Sequence, residues 1–149
     1  MIVTADTNLF VYAVDDRDPT RQGAALGLIE ALKARRSPIA LQVCGEFYRA
    51  STRRLKRSPW EAAQGARNLM TAYPTFGPTR RSTERALAEA AAGRFSYWDA
   101  ALLAAADEAD CTHILSEDMQ EGMGIGGIEV VRVFDESGIS EPVRALLQI

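Results

Sequence analysis

Val3-Thr4-Ala5-Asp6-Thr7-Asn8-Leu9-Phe10-Val11-Tyr12 stands at the start of the chain, and its reading decides the fold. Met1 to Ala5 is short, apolar and β-prone. Asp6-Thr7-Asn8 is a run of turn and cap formers, and the apolar stretch Leu9 to Val14 follows at once. That order predicts strand, turn, helix. Similar units recur downstream. Ile39-Ala40-Leu41 predicts a second strand feeding a helix with Val43, Phe47 and Ala50 inward. Thr75-Phe76-Gly77 allows a third strand, Cys111 to Ser116 reads as a fourth and Glu129 to Phe134 as a fifth. Strands alternating with helices imply a three-layer α/β/α domain, residues 1–149, around a mostly parallel five-stranded sheet.

The helices between these strands carry their own start and stop signals. Pro19-Thr20 opens a segment through Arg36, with Ala24, Leu28, Ile29 and Leu32 at helical spacing, and Ser37-Pro38 stops it. Ser58-Pro59-Trp60-Glu61 places a serine cap before a helix to Tyr73. Ser82 to Gly93 is an alanine-rich helix closed by glycine, and Phe95-Ser96-Tyr97-Trp98-Asp99 launches another through Asp110. Gly122-Met123-Gly124-Ile125-Gly126-Gly127 reads as a flexible loop. It is no phosphate loop, because no Gly-Lys-Ser/Thr follows.

Composition narrows the chemistry. With 149 residues, 47% of them hydrophobic and 25% charged, the chain builds a core without staples and is not a disordered tail. Its longest uncharged stretch, Asn68 to Thr79, is far short of the roughly 20 apolar residues of a membrane span. No basic leader precedes Val3, so a cytoplasmic protein is expected. Cys44, Cys111 and His113 are too few for a Cys/His zinc site, and His113 sits in the apolar run of the fourth strand. Catalysis, if any, falls to carboxylates, hydroxyls and a hard metal ion.

Charge is unevenly placed. Residues 1–94 carry 15 basic and 9 acidic side chains, whereas residues 95–149 carry 2 and 11. Arg49, Arg53, Arg54, Lys56 and Arg57 form the densest basic stretch, and 49, 53 and 56/57 would share one helical stripe. Arg80, Arg81 and Arg85 form a second cluster. Such a stripe is either a solvated face or a phosphate-tracking surface.

In open parallel sheets the ligand crevice lies beyond the carboxyl ends of the strands. Asp6 follows strand one directly, and Asp118 lies two residues past strand four. Glu46 falls early in the helix after strand two, and Asp99 in the first turn of the helix before strand four. Each has a structural alternative: Asp6, Asp99 or Asp118 as a helix cap, Glu46 as a surface partner for Arg49 or Arg53. Together they would form an anionic cluster. Two unit charges about 5 Å apart repel by roughly 3 kcal/mol at an effective dielectric near 20, so such a cluster calls for a hard divalent cation. Oxygen-only ligands favour Mg²⁺ or Mn²⁺, which activate water and neutralise a phosphodiester.

These segments resemble the PIN domain, especially the VapC-type toxins of bacterial toxin–antitoxin pairs. The resemblance rests on Val3 to Tyr12, Glu46, Tyr97-Trp98-Asp99-Ala100-Ala101-Leu102 and Ile114-Leu115-Ser116-Glu117-Asp118-Met119-Gln120. It implies that Asp6, Glu46, Asp99 and Asp118 bind the metal of a Mg²⁺- or Mn²⁺-dependent endoribonuclease, with Asn8 and Ser116 orienting ligands or water. It also implies a homodimer and a complex with a small VapB-like antitoxin. Arg49, Arg53 and Arg80 are the candidates for steering RNA. Two rivals remain at this point. One is a catalytically inert PIN-like binding module; the other is an aspartyl-phosphate phosphotransfer domain, disfavoured because no lysine follows Lys56.

Overall fold

The computed structural model describes residues 1–149. The expected first unit forms as β1 (Val3–Ala5) and α1 (Thr7–Val14), followed by α2 (Pro19–Ala34), β2 (Ile39–Ala40) and α3 (Leu41–Arg53). Next come α4 (Pro59–Ala72), β3 (Thr75–Phe76), α5 (Arg80–Ala91), α6 (Tyr97–Glu108) and β4 (His113–Ser116). The chain closes with β5 (Gly124–Ile125), β6 (Ile128–Arg132), β7 (Phe134–Asp135), β8 (Gly138–Ile139) and α7 (Glu141–Leu147).

The central sheet has four strands in the order β1-β4-β6-β5. β1, β4 and β6 are parallel, with Ala5 opposite Leu115 and Leu115 opposite Val131. Strand neighbours in sequence point to opposite faces of a sheet, and Ile114 with Leu115 and Val130 with Val131 are all buried. Both faces are therefore covered by other elements, as parallel sheets require. One core of 34 buried residues runs through the molecule. No helix is long and apolar enough to cross a membrane.

All five anticipated strands exist, but not as one five-stranded sheet. β2 and β3 pair only with each other, in parallel. Their brevity has local causes: α3 begins immediately after Ala40, and β3 is held between Pro74 and Gly77-Pro78. The fourth place in the central sheet is instead taken by β5, from the segment read as a flexible loop. β5 turns back antiparallel onto β6, and glycine makes the approach possible. A Cβ on Gly124 would lie 1.9 Å from the Ile128 carbonyl oxygen, and Gly126 adopts φ +62°. The terminal helix α7 and the small hairpin β7–β8 are elements the sequence pattern did not reveal.

Capping explains most helix starts. Asp18, Ser58, Thr79 and Ser96 accept from backbone N–H groups of the first turns of α2, α4, α5 and α6. α5 begins at Arg80 rather than Ser82 because Thr79 and Ser82 form a reciprocal capping box. In α6 every residue from Ala100 to Ala106 is buried, so this helix is enclosed on all sides. Its small side chains let α5 and the sheet approach closely.

The β5–β6 turn is pinned from α6. Asp107 accepts from the Gly127 N–H at 2.8 Å and pairs with Arg85 of α5 at 2.7 Å. Burial pushes the Asp107 carboxyl up, but the Arg85 guanidinium and the Gly127 N–H outweigh it and leave it below its usual value. A depressed carboxylate stabilises the fold above its unfolded pKa and loses that contribution as pH falls through the folded one. Asp107→Asn is therefore expected to lower stability by about 1–2 kcal/mol at neutral pH. In thermal melts the gap to wild type should close as pH drops below the ordinary value of 3.8.

Candidate functional site

The parallel pairing of β1 with β4 brings the two strand ends to one edge of the sheet. The Asp6 N–H donates to the Leu115 carbonyl at 2.9 Å, extending the ladder one residue past β1. Asp6 then caps α1: its Oδ1 accepts from the Thr7 N–H at 2.7 Å. Its Oδ2 accepts from the Ser116 hydroxyl at 3.0 Å. Ser116, buried at the end of β4, also accepts from the N–H groups of Asp118 and Met119, both at 3.3 Å. One hydroxyl thus ties the Asp6 carboxylate to the turn that carries Asp118.

The adjacent residue Glu117 turns the other way. Its Oε1 accepts from the Val133 and Phe134 N–H groups at 3.1 and 2.9 Å, closing the end of β6. Two neighbouring acids therefore divide between a structural and a cleft-facing position.

A cleft of about 380 Å³ opens at this edge. Asp6, Glu46, Asp99 and Asp118 line it together, with Thr7, Asn8, Arg49, Arg53 and Arg54. Asp99 enters from the first turn of α6, where its N–H donates to Ser96 Oγ at 3.2 Å. Glu46 comes from α3 and is held at both oxygens: Thr7 Oγ1 donates to Oε2 at 2.6 Å and Gln42 Nε2 to Oε1 at 3.0 Å. Gln42 also donates to the Trp98 carbonyl at 3.1 Å, which joins the starts of α3 and α6. Asn8 Nδ2 donates to Asp118 Oδ2 at 2.5 Å.

The carboxylates share the cleft without closing on one point. No three His, Cys, Asp or Glu side chains of the chain stand in an arrangement that could hold a metal ion. Thr7 and Gln42 hold Glu46, and Asn8 holds Asp118, each bond taking one of the several acceptor sites of a carboxylate. The acids nevertheless sense one another. Burial pushes Asp6 up to about 6, helped by the charges of Glu46 and Asp99 and opposed by the Thr7 N–H and Ser116 hydroxyl. Burial also raises Asp99, against its contact with Ser96 and aided by Asp118 and Glu46.

The structure sorts the other sequence candidates. Arg49 and Arg53 line the cleft, whereas Arg80 is the first residue of α5 and forms no part of its wall. The basic stripe does not continue past Arg53, because α3 ends there and Lys56 adopts φ +55°. Arg57 instead donates to the Val14 carbonyl at 3.0 Å. His113 is half-buried in β4 beside the Thr112 hydroxyl, and Cys44 and Cys111 are free and buried. Thr7 and Gln42 were not singled out in the sequence, and Arg54 only as a member of the basic stretch. For Gln42 a signal existed, since it precedes Glu46 by four residues on one helix.

An α/β fold with a mostly parallel sheet and an acid-lined cleft at its carboxyl edge defines a class. No protein-family model matches the sequence, and no curated protein matches it. Solved structures do. VapC20 of Mycobacterium tuberculosis, a Sarcin-Ricin loop cleaving toxin, superposes with TM-score 0.62 at 21% identity, over 75% of this chain and 86% of that one. A toxin–antitoxin complex from Klebsiella pneumoniae gives TM-score 0.58 at 17% identity, over 86% and 95%. VapBC2 of Rickettsia felis, bound to a promoter DNA fragment, gives TM-score 0.62 at 13% identity, over 89% and 98%. The chain therefore has the PIN-like fold of VapC toxins.

The raised Asp6 has a stability consequence in protein freed of metal by chelator. Its folded form binds more protons than the unfolded chain between the ordinary 3.8 and about 6, so stability falls as pH rises through that window. The loss approaches roughly 2–3 kcal/mol. Asp6→Asn keeps an acceptor for Thr7 and removes the charge. In chelator it should melt above wild type at pH 8 and lose that advantage near pH 3.5. A variant that melts lower at pH 8 would contradict the assigned burial cost.

Proposed function

We propose that the chain is an endoribonuclease that hydrolyses RNA phosphodiesters with Mg²⁺ or Mn²⁺, and that it is the toxin of a toxin–antitoxin pair neutralised by a small antitoxin. The observation that carries this reading is the convergence of Asp6, Glu46, Asp99 and Asp118 from four segments on one cleft that also presents Arg49 and Arg53. The reading is supported by the shared fold, since one solved structure with it, VapC20, is a Sarcin-Ricin loop cleaving toxin.

The donor set fits a hard divalent cation in kind, being all oxygen, although its side chains are not gathered into a cage. Asp6, Asp99 and Asp118, which line one cleft, would hold the ion once their side chains rotate toward it, and Glu46 would do so directly or through water. When bound, the ion supplies a Lewis acid that favours hydroxide near neutral pH and offsets the phosphodiester's charge.

The chain's own residues supply the rest. Arg49 and Arg53 attract the phosphate into a cleft whose carboxylates repel it. Ser116 and Asn8 orient the Asp6 and Asp118 carboxylates within the cleft. Attack by water on phosphorus, in line with the departing 3′ oxygen, leaves a 5′-phosphate and a 3′-hydroxyl.

A second reading, an inert RNA-binding module, draws support from the engagement of Glu46 and Asp118 by neutral donors. Incubation of single-stranded RNA with the purified protein separates the two. The nuclease cleaves in Mg²⁺ or Mn²⁺, stops with chelator, and loses at least about a hundredfold in Asp6→Ala and Asp118→Ala variants that still melt cooperatively. Retarded but intact RNA in both metals favours the module. Titration calorimetry with Mn²⁺ checks the ion itself: binding should be lost in the same two variants. Light scattering is expected to give twice the chain's 16.3 kDa for a homodimer. Growth arrest on expression should be relieved by the product of a small neighbouring reading frame.

A further inference from the structure

Of the three arginines in the cleft wall, Arg54 alone hydrogen-bonds another side chain there. It is the C-cap just past the last residue of α3, its own N–H bonded to the Ala50 carbonyl at 2.9 Å. Its Nη2 donates to Asn8 Oδ1 at 3.0 Å, and Asn8 Nδ2 donates to Asp118 Oδ2 at 2.5 Å. The chemistry of the groups fixes this order. A guanidinium has only donors and an ionised carboxylate only acceptors, so the amide between them has one favourable orientation. Turned over, Asn8 would set two NH₂-bearing groups together and place its oxygen against the Asp118 carboxylate.

Asn8 needs such a constraint. It lies in the first turn of α1 at the mouth of the cleft, and the amide is otherwise free to rotate about a broad two-fold torsion. Arg54 approaches from a different element, 46 residues along the chain from Asn8, and Asn8 in turn stands 110 residues from Asp118. Arg54 also lines a second cleft, with Asp15 and Lys56.

We infer that Arg54 is a positioning residue: it orients the Asn8 amide so that its NH₂ group holds the Asp118 carboxylate in the cleft, instead of gripping the RNA phosphate as Arg49 and Arg53 do. The kinetic part rests on the nuclease reading above; the orientation of Asn8 does not.

Two measurements test it. In ¹⁵N-labelled protein without metal, the Asn8 side-chain amide is assigned by its disappearance in Asn8→Ala. In Arg54→Ala, which should keep the wild-type circular dichroism, that amide is expected to move to the position of a free asparagine and to exchange with water at least about tenfold faster. An unmoved signal overturns the inference. In RNA cleavage, Arg54→Ala should lower kcat about tenfold. KM should stay within about twofold, and the Asn8→Ala, Arg54→Ala double variant should be no slower than Asn8→Ala alone. A raised KM with unchanged kcat, or losses that multiply, overturns it and makes Arg54 a substrate contact. If wild type cleaves no RNA, the nuclease reading fails, and the amide signal still decides the role of Arg54.

Discussion

The parallel register of β1 against β4 is the constraint on which the site depends. It aligns Ala5 with Leu115, and so sets Asp6 beside Ser116 at the same edge of the sheet. A one-residue slip would turn every side chain of β1 to the opposite face and carry Asp6 away from the cleft. The register is held where slippage is hardest, since Val3, Thr4, Ala5, Ile114 and Leu115 are all buried. Ser116 then converts strand alignment into side-chain alignment, because its single oxygen contacts both the Asp6 carboxylate and the Asp118 turn.

Gathering acids in this way is electrostatically uphill. The fold offsets part of the repulsion with neutral donors: Thr7 and Gln42 on Glu46, Asn8 on Asp118, and Ser116 with the Thr7 N–H on Asp6. It adds cations to the same cleft in Arg49, Arg53 and Arg54. Burial first, and the remaining repulsion after it, holds the Asp6 and Asp99 carboxyls above their usual values. Acids and arginines in one cleft would suit a phosphodiester together with a divalent ion, since each would otherwise be repelled by part of the surface.

The scaffold around the cleft is rigid for a related reason. α6 is buried without a break from Ala100 to Ala106, so Asp99 in its first turn is carried on a helix set in the core. Gln42 joins that turn to α3 through the Trp98 carbonyl, and Asp107 at the other end of α6 anchors the β5–β6 turn. Elements that supply acids are thus tied to the core, while the arginines come from the exposed end of α3.

Local pattern determined a good deal. Strand–turn–helix at Val3 to Val14, the serine starts at Ser58 and Ser96, and the strand positions around Ile39, Thr75, Ile114 and Val130 are properties of neighbouring residues, and all of them formed. That Asp6, Glu46, Asp99 and Asp118 face one edge followed from the rule for parallel sheets, and they do line one cleft. Other features depended on distant partners. The Gly124–Ile125 strand exists only because Ile128–Arg132 lies beside it, and β2 and β3 stayed apart from the central sheet because their neighbours cut them short. Arg80 had the same composition as Arg54, yet only Arg54 reaches the cleft, because helix ends and crossing elements decide where a long side chain arrives. Sequence alone determined which residues could be acids at strand ends; tertiary structure decided which donors each acid met, since hydrogen bonds across 39 to 110 residues leave no periodic trace in the chain.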